Sequence, residues 1–293
     1  MGKSSPSLER SPVTYIGNVR PLPSRKCQPA SRNVPHRYTC TESVHPASHR
    51  YTGKMDTLSG KIAIVTGGTR GIGRAIAERL LREGCRVAIC GRSQDSVDRA
   101  VAEMRQLGDI YGLAADIAQN LQVERLFEGV DGQFGGLDIL VNNAGEGVFR
   151  KVGEMTVEEW RRNIDLNLNG AFYCAHAALT RFRQRGGGFI VNISSLAAKN
   201  PFSGGAGYNA SKFGLNGFSE ALMLDHRYDN VRVCTVMPGS VATEFAGDTA
   251  KRAGDTSWKV APEDVAEVVT LALRMPARTM LSQVEMRPSK PKK

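Results

Sequence analysis

Ile62-Ala63-Ile64-Val65-Thr66 runs without a break into Gly67-Gly68-Thr69-Arg70-Gly71-Ile72-Gly73. The first five residues form a short β-branched run of the kind that makes a buried strand. The glycines that follow permit positive φ and close approach of another group to the backbone. Beyond them Ile72, Ile76, Leu80 and Leu81 recur on one helical stripe, and Gly84 supplies a C-cap. Strand, glycine turn and helix N-terminus together offer free N–H groups and a positive dipole end to an anion. At the start of a βαβ unit, that anion is the pyrophosphate of a dinucleotide.

Moving outward, the same alternation continues to the C-terminus. Predicted strands are Ile62–Thr66, Val87–Cys90, Ile110–Ala114, Ile139–Val141, Phe189–Ile193, Val231–Met237 and Val284–Met286. Helices are predicted at about Ser96–Leu107, Leu121–Phe134, Val157–Arg185, Tyr208–Tyr228 and Pro262–Arg274. Such alternation specifies an α/β fold, a doubly wound seven-stranded parallel sheet of the Rossmann type. The organisation read from it is a disordered basic extension at 1–54, one dinucleotide-binding catalytic domain at 55–288, and a short basic tail at 289–293.

Charge separates the extension from the body. The chain carries a net +10 over 293 residues, but residues 1–54 hold nine Lys/Arg against two acids. The rest, 30 basic and 27 acidic side chains, is near neutral, which argues against a nucleic-acid partner. The extension is rich in Ser, Pro, Arg and His and lacks apolar periodicity. Three readings of it stand: sequence upstream of a start at Met55, an organelle transit peptide, or a nucleic-acid or membrane tail. Cys27, His36, Cys40 and His45 fit no common zinc spacing, so no metal site is expected. The six cysteines include no CxxC pair, and Cys90 and Cys234 lie in apolar runs, which suits a reducing, cytoplasmic compartment. No stretch nears the roughly 18 apolar residues of a membrane span.

The turn spacing is G-x-x-x-G-x-G after Thr66, through Gly67, Gly71 and Gly73. Tyr208-Asn209-Ala210-Ser211-Lys212 is Y-x-x-x-K, which puts both functional side chains on one helix face. Ser194-Ser195 ends the fifth strand, where open α/β sheets bind ligands. Together these segments resemble the short-chain dehydrogenase/reductase family over residues of about 58–288, with a further likeness to its 3-oxoacyl-acyl-carrier-protein reductases.

The resemblance implies an oxidoreductase that interconverts a carbonyl and a secondary alcohol by hydride transfer. It assigns Tyr208 as general acid/base and Ser195, 13 residues earlier, as the group that orients the substrate oxygen; Ser194 falls one residue short. Lys212 bonds the nicotinamide ribose and tunes Tyr208, whose free pKa of about 10 a nearby ammonium, with the nicotinium charge of the oxidised cofactor, would lower. Asn167 completes a water-mediated proton path to Lys212, with Asn169 as its neighbouring competitor. Cofactor contacts fall on Gly67, Thr69, Arg70, Gly71, Ile72 and Gly73, then on Asp116 and Ile117 beside the adenine. They continue through Asn143, Ala144 and Gly145, through Tyr208 and Lys212, and through Pro238, Gly239, Val241 and Thr243 near the carboxamide.

The second strand ends Cys90-Gly91-Arg92, without the acid that many NAD-specific members place there. Arg92 and Arg70 can clamp a 2′-phosphate, so the expected cofactor is NADP. The segment from Glu244 to Thr256 reads as a short polar lid. Family members form dimers or tetramers through the two long helices. Ala171, Phe172, Ala175, Phe218 and Leu222 suit that interface or the core, and a homotetramer is the expected assembly. The other class of function this fold carries is a dinucleotide-binding sensor or scaffold without turnover; members of that class usually lack the tyrosine or lysine.

Overall fold

The computed structural model describes residues 55–243, 245 and 255–291. The extension at 1–54, its cysteine–histidine cluster, nearly all of the expected lid and the last two residues lie outside the described residues.

Seven strands form the sheet: β1 (Ile62–Thr66), β2 (Arg86–Gly91), β3 (Ile110–Ala114), β4 (Ile139–Asn142), β5 (Gly188–Ile193), β6 (Val231–Pro238) and β7 (Gln283–Met286). Their order is β3-β2-β1-β4-β5-β6-β7, and every neighbouring pair is parallel. The chain winds outward from β1 to β3, then crosses back and winds the other way from β4. The reversal between β1 and β4 opens a crevice at the carboxyl ends of those strands, which is where such sheets bind ligands.

Among the described residues seven α-helices cover the two faces: α1 (Gly71–Arg82), α2 (Gln94–Met104), α3 (Asn120–Phe134), α4 (Val157–Ile164), α5 (Gly170–Arg185), α6 (Ala206–His226) and α7 (Pro262–Arg274). Strand alternation divides the core in two. Ala63 and Val65 of β1 pack with Ile76 and Leu80 of α1 and Val265 and Val269 of α7. Ile62 and Ile64 point the other way, toward Leu126 and Phe127 of α3 and Cys174 and Phe182 of α5. A strand buried on both faces has to be apolar throughout, which is why β1 reads as an unbroken hydrophobic run.

The helix expected over Val157–Arg185 is not continuous. A π-turn segment, Asp165–Asn169, separates α4 from α5. Thr156 and Glu159 start α4 with a reciprocal capping box. Within the π segment, the Asn167 side chain makes three hydrogen bonds to groups outside its own helix. Such widened turns collect at functional sites. Of the residues that suited either interface or core, Ala171, Ala175 and Leu222 are buried. Phe172 is exposed and meets the half-buried Phe218 edge to face.

Candidate active site

A cleft of about 1680 Å3 lies across the carboxyl ends of β1, β2, β4, β5 and β6. Its floor begins at the first turn. Gly67 and Gly71 have φ of 65° and 55°, in the left-handed region that side chains avoid. Gly73 has a spatial reason instead. A Cβ there would lie 2.3 Å from both Asn143 Nδ2 and the Gly67 carbonyl oxygen. The turn is therefore folded tightly on β4.

Thr66 and Asn143 stitch it there. Thr66 Oγ1 accepts from the backbone N–H groups of Asn143 and Ala144, at 3.0 Å each, and donates to the Val141 carbonyl. Asn143 Nδ2 donates in return to the carbonyls of Thr66 and Gly67. A second polar chain, which the motifs did not single out, runs beneath. Asn142 donates to Asn192 at 2.9 Å, Asn192 to Ser219 at 2.8 Å, and Ser219 to the Leu215 carbonyl. It ties β4 and β5 to α6 through buried side chains, so the cradle and the helix that bears Tyr208 share one framework.

Every expected site residue lines the cleft except Gly73 and Asn167. Asn167 is buried behind Gly145, where an added Cβ would meet its Oδ1 at 2.9 Å. Its Oδ1 accepts the Glu146 N–H, and its Nδ2 donates to the Glu146 carbonyl and to Ser211 Oγ. No direct bond joins it to Lys212. Its competitor Asn169 donates to Asp165 within the same helical turn.

At the end of β5 the two serines part. Ser194 is buried and donates to Asn216 at 2.6 Å. Ser195 faces the cleft, its Oγ accepts the Ala197 N–H at 3.1 Å, and its hydroxyl is also hydrogen-bonded to Tyr208. Tyr208 and Lys212 rise beside it from α6. Lys212 Nζ donates to the Ile193 carbonyl at 2.9 Å and lies 5.8 Å from the centre of the Tyr208 ring. Burial brings the Lys212 pKa down to about 8. Burial also pushes the Tyr208 phenol above its ordinary value, opposed in part by a hydrogen bond with Ser195. Desolvation disfavours the tyrosinate more than the Ser195 hydrogen bond favours it.

Arg92 is exposed at the rim and stands 3.9 Å from Glu146. Arg162, from α4, grips the same carboxylate with two hydrogen bonds of 2.9 Å. Neither partner belongs to a motif. Asp116 caps its own turn by accepting the Ala118 N–H. Thr243 rests its methyl against Gly71, and Gly239 donates to the Met286 carbonyl, so residues 239–243 close the far side. Cys90 also lines the cleft, but burial pushes its thiol up to about 11, so it stays neutral. Among the described residues no cluster of His, Cys, Asp and Glu could hold a metal ion, and no helix is long and apolar enough to cross a membrane.

A sequence profile described as short chain dehydrogenase matches residues 61–254. The chain belongs to the short chain dehydrogenase family. Its membership makes it an oxidoreductase of the alcohol/carbonyl class that uses a nicotinamide dinucleotide. Curated members similar to it include a 3alpha-hydroxysteroid dehydrogenase of Mediterraneibacter gnavus, 37% identical over 191 residues, 64% of this chain and 76% of that one. Dehydrogenase/reductase SDR family member 4 of Oryctolagus cuniculus is 39% identical over 195 residues, 66% of this chain and 75% of that one. Among solved structures, an alcohol dehydrogenase from the archaeon Thermococcus sibiricus, complexed with 5-hydroxy-NADP, superposes with a TM-score of 0.74 at 27% identity. The match covers 80% of this chain and all of that one. A metagenomic short-chain oxidoreductase in complex with NADP gives 0.70 at 34% identity over the same shares.

Proposed function

We propose that this short chain dehydrogenase is an NADP(H)-dependent reductase of ketones, 3-oxoacyl groups among them, and works in reverse on secondary alcohols. The observation that carries the reading is convergence. Ser195, Tyr208 and Lys212 stand in the same cleft as the glycine cradle, joined to it by buried hydrogen bonds. A Cβ at Gly67 or Gly73 would strike Asn143, Ala144 or the Gly67 carbonyl, so the glycines keep the turn tight at the N-terminus of α1, where a pyrophosphate can meet the backbone. Arg92 and Arg70 supply cations for a 2′-phosphate, and no carboxylate ends β2 to oppose one. NADP-bound relatives of similar fold support the same choice.

When bound, the reduced cofactor supplies a hydride to the carbonyl carbon. Tyr208, protonated at neutral pH as phenols are, gives its phenolic proton to the carbonyl oxygen. Ser195, hydrogen-bonded to Tyr208 in this structure, turns its hydroxyl to that oxygen and holds it beside the phenol. Lys212 spends one N–H on Ile193, keeps two for a ribose hydroxyl, and places positive charge beneath Tyr208. Asn167 holds Glu146 and Ser211 in place and so fixes the floor under Gly145. Pairing of copies through the exposed Phe172 face is the assembly proposed with this reading, as a dimer or tetramer.

The test is NADPH oxidation by the full chain against a panel of ketones, with the alcohol product quantified. We expect one alcohol per NADPH and a clear preference over NADH. A chain that bound NADPH tightly yet reduced nothing would be a sensor instead.

A further inference from the structure

Three phenylalanines from three separate loops gather around Tyr208. Phe149 follows β4, Phe202 follows β5, and Phe245 follows β6. The rings of Phe149 and Phe245 stand 5.6 and 5.7 Å from the Tyr208 ring, at 82° and 60° to it. Phe202 extends the wall, 5.6 Å from Phe149. Edge-to-face contacts of this kind set the rings as walls beside the phenol.

The backbone is shaped to seat them. A Cβ at Gly147 would lie 2.5 Å from Phe149 Cζ and 3.0 Å from Phe245 Cε1. A Cβ at Gly205 would lie 2.7 Å from two ring carbons of Phe202. Yet the three rings are 37%, 45% and 41% exposed, and all line the cleft. Core phenylalanines such as Phe127 and Phe182 are fully buried, so these three do not serve the core. Apolar surface left open in a concave site is surface for a ligand to cover. The cleft is also larger than the roughly 300–1,000 Å3 of a typical small-molecule site, which leaves room for a bulky group beside a dinucleotide.

We propose that the substrate of this site carries its carbonyl on a flat, bulky apolar group, aryl or fused-ring, and that Phe149, Phe202 and Phe245 select it over short oxoacyl chains. The inference rests on the reading of Tyr208 as proton donor. A planar ketone lies against the Phe149 and Phe245 walls with its oxygen at the Tyr208 and Ser195 hydroxyls. A short, flexible chain leaves both walls wet and loses rotamer freedom to be held there.

The experiment compares kcat/KM with NADPH for α-tetralone and for the N-acetylcysteamine thioester of acetoacetate. The wild-type chain should favour the tetralone about tenfold or more, the size expected when a few aromatic contacts are gained. Phe149→Leu keeps apolar volume but removes the ring, and should erase most of that preference. Gly147→Ala pushes Phe149 and Phe245 apart and should act the same way; NADPH titration checks that each variant folds. Should Gly147→Ala fail to bind NADPH, Phe149→Leu alone decides. Preference for the thioester, or an unchanged preference in Phe149→Leu, overturns the aromatic selection and leaves the reductase reading standing. Turnover of neither compound by NADPH-loaded enzyme overturns both.

Discussion

The two halves of the cleft are built differently. The cofactor half is made of backbone: Gly67, Gly71 and Gly73 shape it, and Thr66 and Asn143 lock it with bonds to main-chain groups. The substrate half is made of side chains: Ser195, Tyr208 and three rings that arrive from loops far apart in sequence. A backbone site has to be carried by residues close together in the chain. A side-chain site can be assembled from anywhere the topology brings a loop. The first half should therefore fail sharply when a single atom is added, and the second should change its selectivity by degrees.

The sharpest break is Gly73→Val. Its branched side chain would collide with the Gly67 carbonyl and Asn143 Nδ2, so NADPH affinity should fall more than about 100-fold, a loss of roughly 3 kcal/mol. Fluorescence titration of NADPH reads this, with circular dichroism as the check on folding. Near-normal binding would mean the turn is not the pyrophosphate cradle. A smaller effect is expected from Arg92→Asp, which puts a carboxylate where a 2′-phosphate is proposed to lie. The ratio of kcat/KM for NADPH over NADH should drop by about 10- to 100-fold, the worth of one charge-assisted contact turned repulsive. An unchanged ratio would remove Arg92 from cofactor choice.

The smallest effect concerns pH and joins the halves at Lys212. Its pKa is lowered to about 8, so the ammonium is present below that value and lost above it. Ketone reduction should decline as pH rises through about 8, because the charge beneath Tyr208 and the donors for ribose fade together. Stability moves the other way. The unfolded lysine holds its proton up to its ordinary pKa of 10.5, so between about 8 and 10.5 the unfolded chain binds more protons and stability rises with pH. Lys212→Arg, which stays charged, should flatten the upper limb of the rate profile; a limb that stays at about 8 would assign it to another group.

That division explains what was legible in the sequence. The seven strands and the glycine turn announce themselves because β-branched runs, positive φ and close approach are local demands on residue type. Tyr208, Lys212 and Ser195 are legible because one helix face and one strand end fix their relation. The π segment at Asp165–Asn169 is not, since one inserted residue in a helix leaves no mark on the apolar period. Nor are the Asn142–Asn192–Ser219 chain, the Glu146–Arg162 pair or the aromatic wall. Each joins residues 15 or more apart by a contact that only the folded sheet creates. The raising of the Tyr208 pKa by burial is not legible either, because the depth of burial is a property of the fold.

Tyr208→Phe tests the central claim most directly. It removes one oxygen, keeps the ring that Phe149 and Phe245 pack against, and leaves the cradle untouched. The account predicts that kcat for ketone reduction falls by about 100- to 10,000-fold, the usual worth of a positioned general acid, while the NADPH dissociation constant changes less than about threefold. A variant that reduces ketones at the wild-type rate would contradict it.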